Sequence, residues 1–90
     1  MKVYIFIETG LNDPFHLEYY TYTEVYYKKS DATERLRKVY HEESVERVES
    51  ELIVKAWIND DHTEAYAEYK DNYIHWEVQE KDVIMPETYD

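Results

Sequence analysis

Glu64-Ala-Tyr-Ala-Glu-Tyr-Lys-Asp-Asn-Tyr-Ile-His-Trp-Glu-Val-Gln79 is the stretch that decides how this chain folds. Two alternating runs, Glu64 to Lys70 and Tyr73 to Gln79, flank Asp71-Asn72, a pair that tolerates positive φ and suits a tight hairpin. With that pair as the turn, Tyr69 faces Ile74, Ala67 faces Trp76, and Ala65 faces Val78. This makes one apolar face, with a small residue opposite the large indole. The other face pairs Glu68 with His75 and Tyr66 with Glu77. Both faces agree on a single register, which is stronger evidence than either strand alone.

Working outward, Lys2 to Thr9 reads as a strand with Val3, Ile5 and Ile7 on one face and Tyr4 and Phe6 on the other. Two apolar faces predict a central position. Gly10-Leu-Asn-Asp-Pro-Phe15 is turn chemistry. Leu17 to Lys28 predicts a second strand, antiparallel to the first, with Tyr20, Tyr22 and Tyr26 on one side and Tyr19, Thr21, Thr23, Val25 and Tyr27 on the other. Ser30 is a fitting N-cap for a helix with Asp31 and Glu34 in its first turn. Ala32, Leu36, Val39 and Tyr40 form its apolar stripe. The next apolar set, Val45, Val48 and Leu52, lies about half a turn away at 100° per residue. The helix therefore either bends near His41–Ser44 or packs on two sides, and it is expected to reach about Ser50. Ile53 to Ile58 fits strand or helix. The expected fold is α+β, a single domain over residues 1–90. It has a small antiparallel sheet of three to five strands, one long helix packed on one face, and a C-terminal β-hairpin.

The charge is unevenly placed. Met1 to His41 is neutral, with six acids against six bases, whereas Glu42 to Asp90 carries fifteen acids against Arg47, Lys55, Lys70 and Lys81. The whole formal charge of −11 therefore sits in the second half. A folded surface that anionic stores repulsion and suits a cationic partner. Direct binding to nucleic acid or to an anionic membrane needs the opposite footprint. The chain contains no cysteine, so disulfide and thiolate chemistry are absent, which leans toward the cytoplasm. The apolar run near Met1 is too short for a signal peptide or a membrane span.

Glu42, Glu43, Glu46 and Glu49 recur at three and four residues, placing carboxylates about 5–6 Å apart on a helix. That spacing resembles successive phosphates along one nucleic-acid strand, although a solvated helix face has the same appearance. Asn59-Asp-Asp-His-Thr-Glu64 has acids and a histidine but neither the glycine of a calcium loop nor the second histidine or cysteine of a zinc site, so it reads as a polar loop. Glu77 and Glu80 could imitate a glycosidase pair, but so short a chain leaves no cleft for a sugar. No serine or histidine has the setting of a triad. No catalytic residue, metal site or cofactor is expected, and the chain reads as non-enzymatic. The tyrosines crowded between Tyr19 and Tyr27 are too many to bury, and exposed tyrosine favours protein interfaces.

The opening Met1-Lys-Val-Tyr-Ile, the passage Val25-Tyr-Tyr-Lys-Lys-Ser-Asp-Ala32, and the pair Ala65-Tyr-Ala-Glu-Tyr69 and Ile74-His-Trp-Glu-Val-Gln-Glu80 resemble small proteins of Gram-positive phages and mobile elements. Acidic phage proteins of this size include anti-CRISPR proteins and other DNA-mimic inhibitors. The resemblance implies a phage-borne inhibitor acting in the host cytoplasm and transfers no functional residue. The expected function is thus binding. The acidic protein would occupy a cationic, nucleic-acid-binding surface of another protein, with Glu42, Glu43, Glu46, Glu49, Asp60, Asp61, Glu64 and Glu68 supplying charge and Tyr66 and Trp57 anchoring. The alternative is a non-catalytic accessory protein that homodimerises through its tyrosine-rich strand.

Overall fold

The structure, a computed structural model, describes residues 1–13, 18–46, 53–69 and 72–83. Strands β1 (Lys2–Asp13) and β2 (Glu18–Tyr26) precede helix α1 (Lys29–His41). Strands β3 (Ile53–Ile58), β4 (Glu64–Tyr69) and β5 (Tyr73–Asp82) follow it. They form one five-stranded antiparallel sheet in the order β2-β1-β5-β4-β3. The strand with two apolar faces, β1, is internal, and β2 is an edge as its unburied tyrosines require. β1 and β5, from opposite ends of the chain, pair from Lys2↔Asp82 to Gly10↔Ile74. Ile53–Ile58, ambiguous in sequence, is the opposite edge strand, where its β-branched residues pair with β4.

α1 lies over one sheet face. Its stripe of Ala32, Leu36 and Val39 is buried, and the core joins Leu36 and Val39 to Phe6, Ala65, Ala67, Tyr69 and Trp76. Ala65, Ala67 and Trp76 are fully buried. The two alanines leave room for the indole and the helix, and Tyr40 meets Trp76 edge-on with centroids 6.3 Å apart.

Several expectations need correction. Residues 10–13, read as turn chemistry, continue β1, and Gly10 pairs with both Tyr20 and Ile74. The β4–β5 register is displaced by two residues: Ala65 pairs with Trp76, Ala67 with Ile74 and Glu68 with Tyr73. The Tyr69 N–H donates to the Asn72 carbonyl at 2.8 Å, so Asn72 faces Tyr69 and Asp71-Asn72 is not the turn pair. A two-residue slip preserves facing, and the apolar face survives intact although every partner on it changes. His75 accordingly meets Glu64 and not Glu68. The helix is shorter than expected: α-geometry ends at His41, and Glu42–Glu46 forms a π-helical turn. That turn falls where the two apolar phases of the sequence meet. The Ser44 hydroxyl donates to the Tyr40 carbonyl at 2.6 Å, a back-bond that favours such a distortion. Residues 47–50, where the helix was expected to continue, lie outside the described residues. Finally, Lys28 and not Ser30 occupies the N-cap, without a side-chain bond. No helix among the described residues is long and apolar enough to cross a membrane.

Candidate binding face

The sheet face opposite α1 is covered by no described element, and strand alternation assigns its side chains. On β3, β4 and β5 it carries Trp57, Tyr66 and Tyr73, all half-buried. Trp57 stands directly across from Tyr66, and Tyr73 lies on the diagonal, since the partner of Tyr66 is His75. The three rings stack nearly parallel, with centroids 6.2 and 6.1 Å apart and planes 6° from parallel at each step. Side chains projecting from adjacent strands to the same face meet in this way. The β1 and β2 part of the face is different in character, carrying Ile5, Ile7 and Leu11 beside exposed Tyr19 and Val25.

Carboxylates border the ring stack. Glu68 accepts a hydrogen bond from the Tyr66 hydroxyl at 2.9 Å. Burial, then that bond and the charge of Glu68, push the Tyr66 hydroxyl up to about 12. Glu64 and Glu77 oppose each other across β4 and β5, a like-charge pair that costs stability. His75 Nε2 lies 2.8 Å from Glu64 Oε2, and the Gln79 amide donates to Glu77 at 3.0 Å. The imidazole offsets the pair's charge when protonated, whereas the amide satisfies its carboxylate without neutralising it.

Of the ten residues expected to carry binding, Trp57, Tyr66, Glu64 and Glu68 share this face. Asp60 and Asp61 are exposed in the β3–β4 loop at one end of it. That loop closes on itself. The Asn59 side chain accepts from the Thr63 and Glu64 N–H groups and donates to the Thr63 hydroxyl, which donates in turn to Asp61 at 2.7 Å. The bond from Thr63 holds the Asp61 carboxyl below its ordinary value. His62 adopts the left-handed conformation that the tight reversal needs, at φ 59°. Glu42 and Glu43 lie on the helix side, in the π-helical turn. Glu42 is exposed, while Glu43 is half-buried and accepts from the Tyr69 hydroxyl at 2.7 Å. Glu46 ends that turn, and Glu49 lies outside the described residues.

Two carboxylates in the neutral half escaped the sequence reading. Glu8 accepts from the fully buried Trp76 indole at 2.7 Å and from the Tyr20 hydroxyl at 3.1 Å. Burial first, then Glu8, and with them Glu43, raise the Tyr20 hydroxyl well above its usual range. Glu24 accepts from Tyr22 and Tyr26, each at 2.7 Å, and from Arg35 at 2.9 Å. Burial opposes its charge, but the three donors together hold it below the ordinary carboxylate value. Arg35 also sits 5.6 Å over the Phe6 ring. The available signal was phase: Glu8 and Glu24 alternate with Phe6 and Tyr26 on the covered face, where a carboxylate needs a donor.

One rule emerges. Tyrosine hydroxyls serve Glu8, Glu43 and Glu68, where many proteins would use lysine or arginine, and at Glu24 two of them join Arg35. A neutral donor satisfies a carboxylate and leaves its charge in place. In comparisons with protein-family models, curated proteins and solved structures, the chain matches none.

Proposed function

We propose that this chain is a non-catalytic, acidic binding protein that occupies a cationic, nucleic-acid-binding surface of another protein, in the manner of a DNA mimic. The observation that carries this reading is the use of tyrosine as the donor to carboxylates, which fixes acids in place while preserving the field of a chain with formal charge −11. Preserved charge steers a basic partner and suppresses acidic ones. The open face adds an anchor: the Trp57–Tyr66–Tyr73 stack, beside Glu64, Glu68 and Glu77, offers rings to arginine and lysine side chains and carboxylates to their charges. β4 and β5, taken as consecutive strands of the closing hairpin, hold most of this surface. The setting that fits is the cytoplasm of a cell whose nucleic-acid-binding protein is blocked, as with phage-borne counter-defence proteins of the anti-CRISPR kind.

Affinity capture of nucleic-acid-binding proteins on the immobilised chain, followed by elution with duplex DNA, tests the reading. Captured proteins should be released by the duplex and by added salt. Glu64→Lys with Glu68→Lys should abolish capture in a chain that still folds. Capture that survives both salt and charge reversal would overturn the reading.

A further inference from the structure

We propose that two copies of this chain pair edge to edge through β2, antiparallel about a two-fold axis at Tyr22, to form a continuous ten-stranded sheet. This goes beyond the reading above and stands on different residues.

The two sheet edges are unlike. β3 carries both common protections against pairing, an exposed lysine (Lys55) in mid-strand and a register irregularity between Ile53 and Lys55. β2 carries neither. Its nine residues, EYYTYTEVY, contain no lysine, arginine or proline, and its ladder with β1 is irregular only at the far end, between Leu11 and Asp13. The exposure of large apolar side chains is concentrated in the same place: Tyr19 63%, Tyr22 46%, Val25 63% and, just beyond the strand, Tyr27 77%. Met1 is the one other large apolar side chain exposed among the described residues. An unprotected edge bearing its own rings is a template for another strand.

Charge selects the occupant. The half of the chain that forms β1, β2 and α1 is neutral, whereas the whole molecule repels its copies at −11. Association of two copies through β2 keeps the acidic halves at the two far ends of the combined sheet. A two-fold perpendicular to the sheet places both helices on one side and both open faces on the other.

The register follows from full overlap of Glu18–Tyr26 with itself. Tyr19 then faces Val25 of the second copy, Tyr20 faces Glu24, Thr21 faces Thr23, and Glu18 faces Tyr26. Tyr19 with Val25 is aromatic with β-branched and Thr21 with Thr23 is threonine with threonine, each a favourable cross-strand pair, and the remaining pairs set each carboxylate against a tyrosine and not against another carboxylate. A shift that centred the axis on Thr21 would set Glu18 against Glu24.

Light scattering across a concentration series tests the pairing on the full chain. The unmodified protein should show twice the chain mass. Tyr19→Lys with Val25→Lys puts two like charges directly opposite in the proposed register and should give a folded monomer, with far-ultraviolet dichroism unchanged. Tyr19→Glu with Val25→Lys puts opposite charges there and should restore the dimer, now weakened by salt. Single-chain mass for the unmodified protein at high micromolar concentration overturns the proposal. A double-lysine variant that stays dimeric, or a charge-swapped variant that stays monomeric, overturns it as well.

Discussion

Glu8 shows how one residue links the sheet to its core. It lies among the apolar side chains of β1, and its carboxylate is the partner of an indole N–H with no exposure of its own. Removing the carboxylate leaves that donor buried and unpaired, which costs about 1–3 kcal/mol. Glu8→Ala should therefore lower the denaturation midpoint, while Glu8→Gln, which keeps an acceptor, should lose less. Gly10 is a second such point. It lies across from Tyr20, and a Cβ there would meet the Tyr20 ring at 2.6 Å. Gly10→Ala should displace the ring from Glu8 and destabilise the fold by about 1–3 kcal/mol, the usual scale of overpacking; chemical denaturation measures it. Phase alone put Glu8 on the face of Phe6, but its partner and the crowding at Gly10 depend on pairings that only the folded sheet supplies. Tyr66, Glu64 and Glu68 were legible as candidates, since their alternation puts them on the polar side of β4, whereas Trp57 was a candidate in a segment that fitted strand or helix.

Among the elements, the apolar pattern predicted what the backbone period controls. The internal place of β1, the exposure of β2 and the buried stripe of α1 follow from alternation and from the 3.6-residue repeat. The period was less informative where two arrangements share it. A two-residue slip in β4–β5 leaves every side chain on its own face, so the facing argument could not separate the observed register from its neighbour. Ile53–Ile58 fits both periods, and pairing with β4 decides it. The phase break after Tyr40 signalled a disturbance without naming it, and a π-helical turn lies there. The observed register makes a checkable claim about volume. Ala65 faces both Trp76 and Ile58 and has no exposure. Ala65→Leu should cost about 1–3 kcal/mol in a denaturant titration.

At the scale of the molecule, acidity and tyrosine content belong to one design. Carboxylates bound by hydroxyls keep their charge, and hydroxyls bound by carboxylates hold on to their protons. The consequences for pH differ in sign. Glu24 sits below its ordinary 4.5, so its contribution is present above that value and fades as pH falls. Tyr20, Tyr22, Tyr26 and Tyr66 sit above their ordinary 10, so theirs is complete below pH 10 and fades as pH rises through the folded values, about 12 for Tyr66. Stability should thus hold between these limits and fall off at both ends. Alkaline titration of the tyrosinate absorbance tests this pairing most directly. The account predicts that Tyr20, Tyr22, Tyr26 and Tyr66 ionise only well above 10, as the fold is lost. A single step near 10, with all eleven ionised in a chain that remains folded, would contradict it.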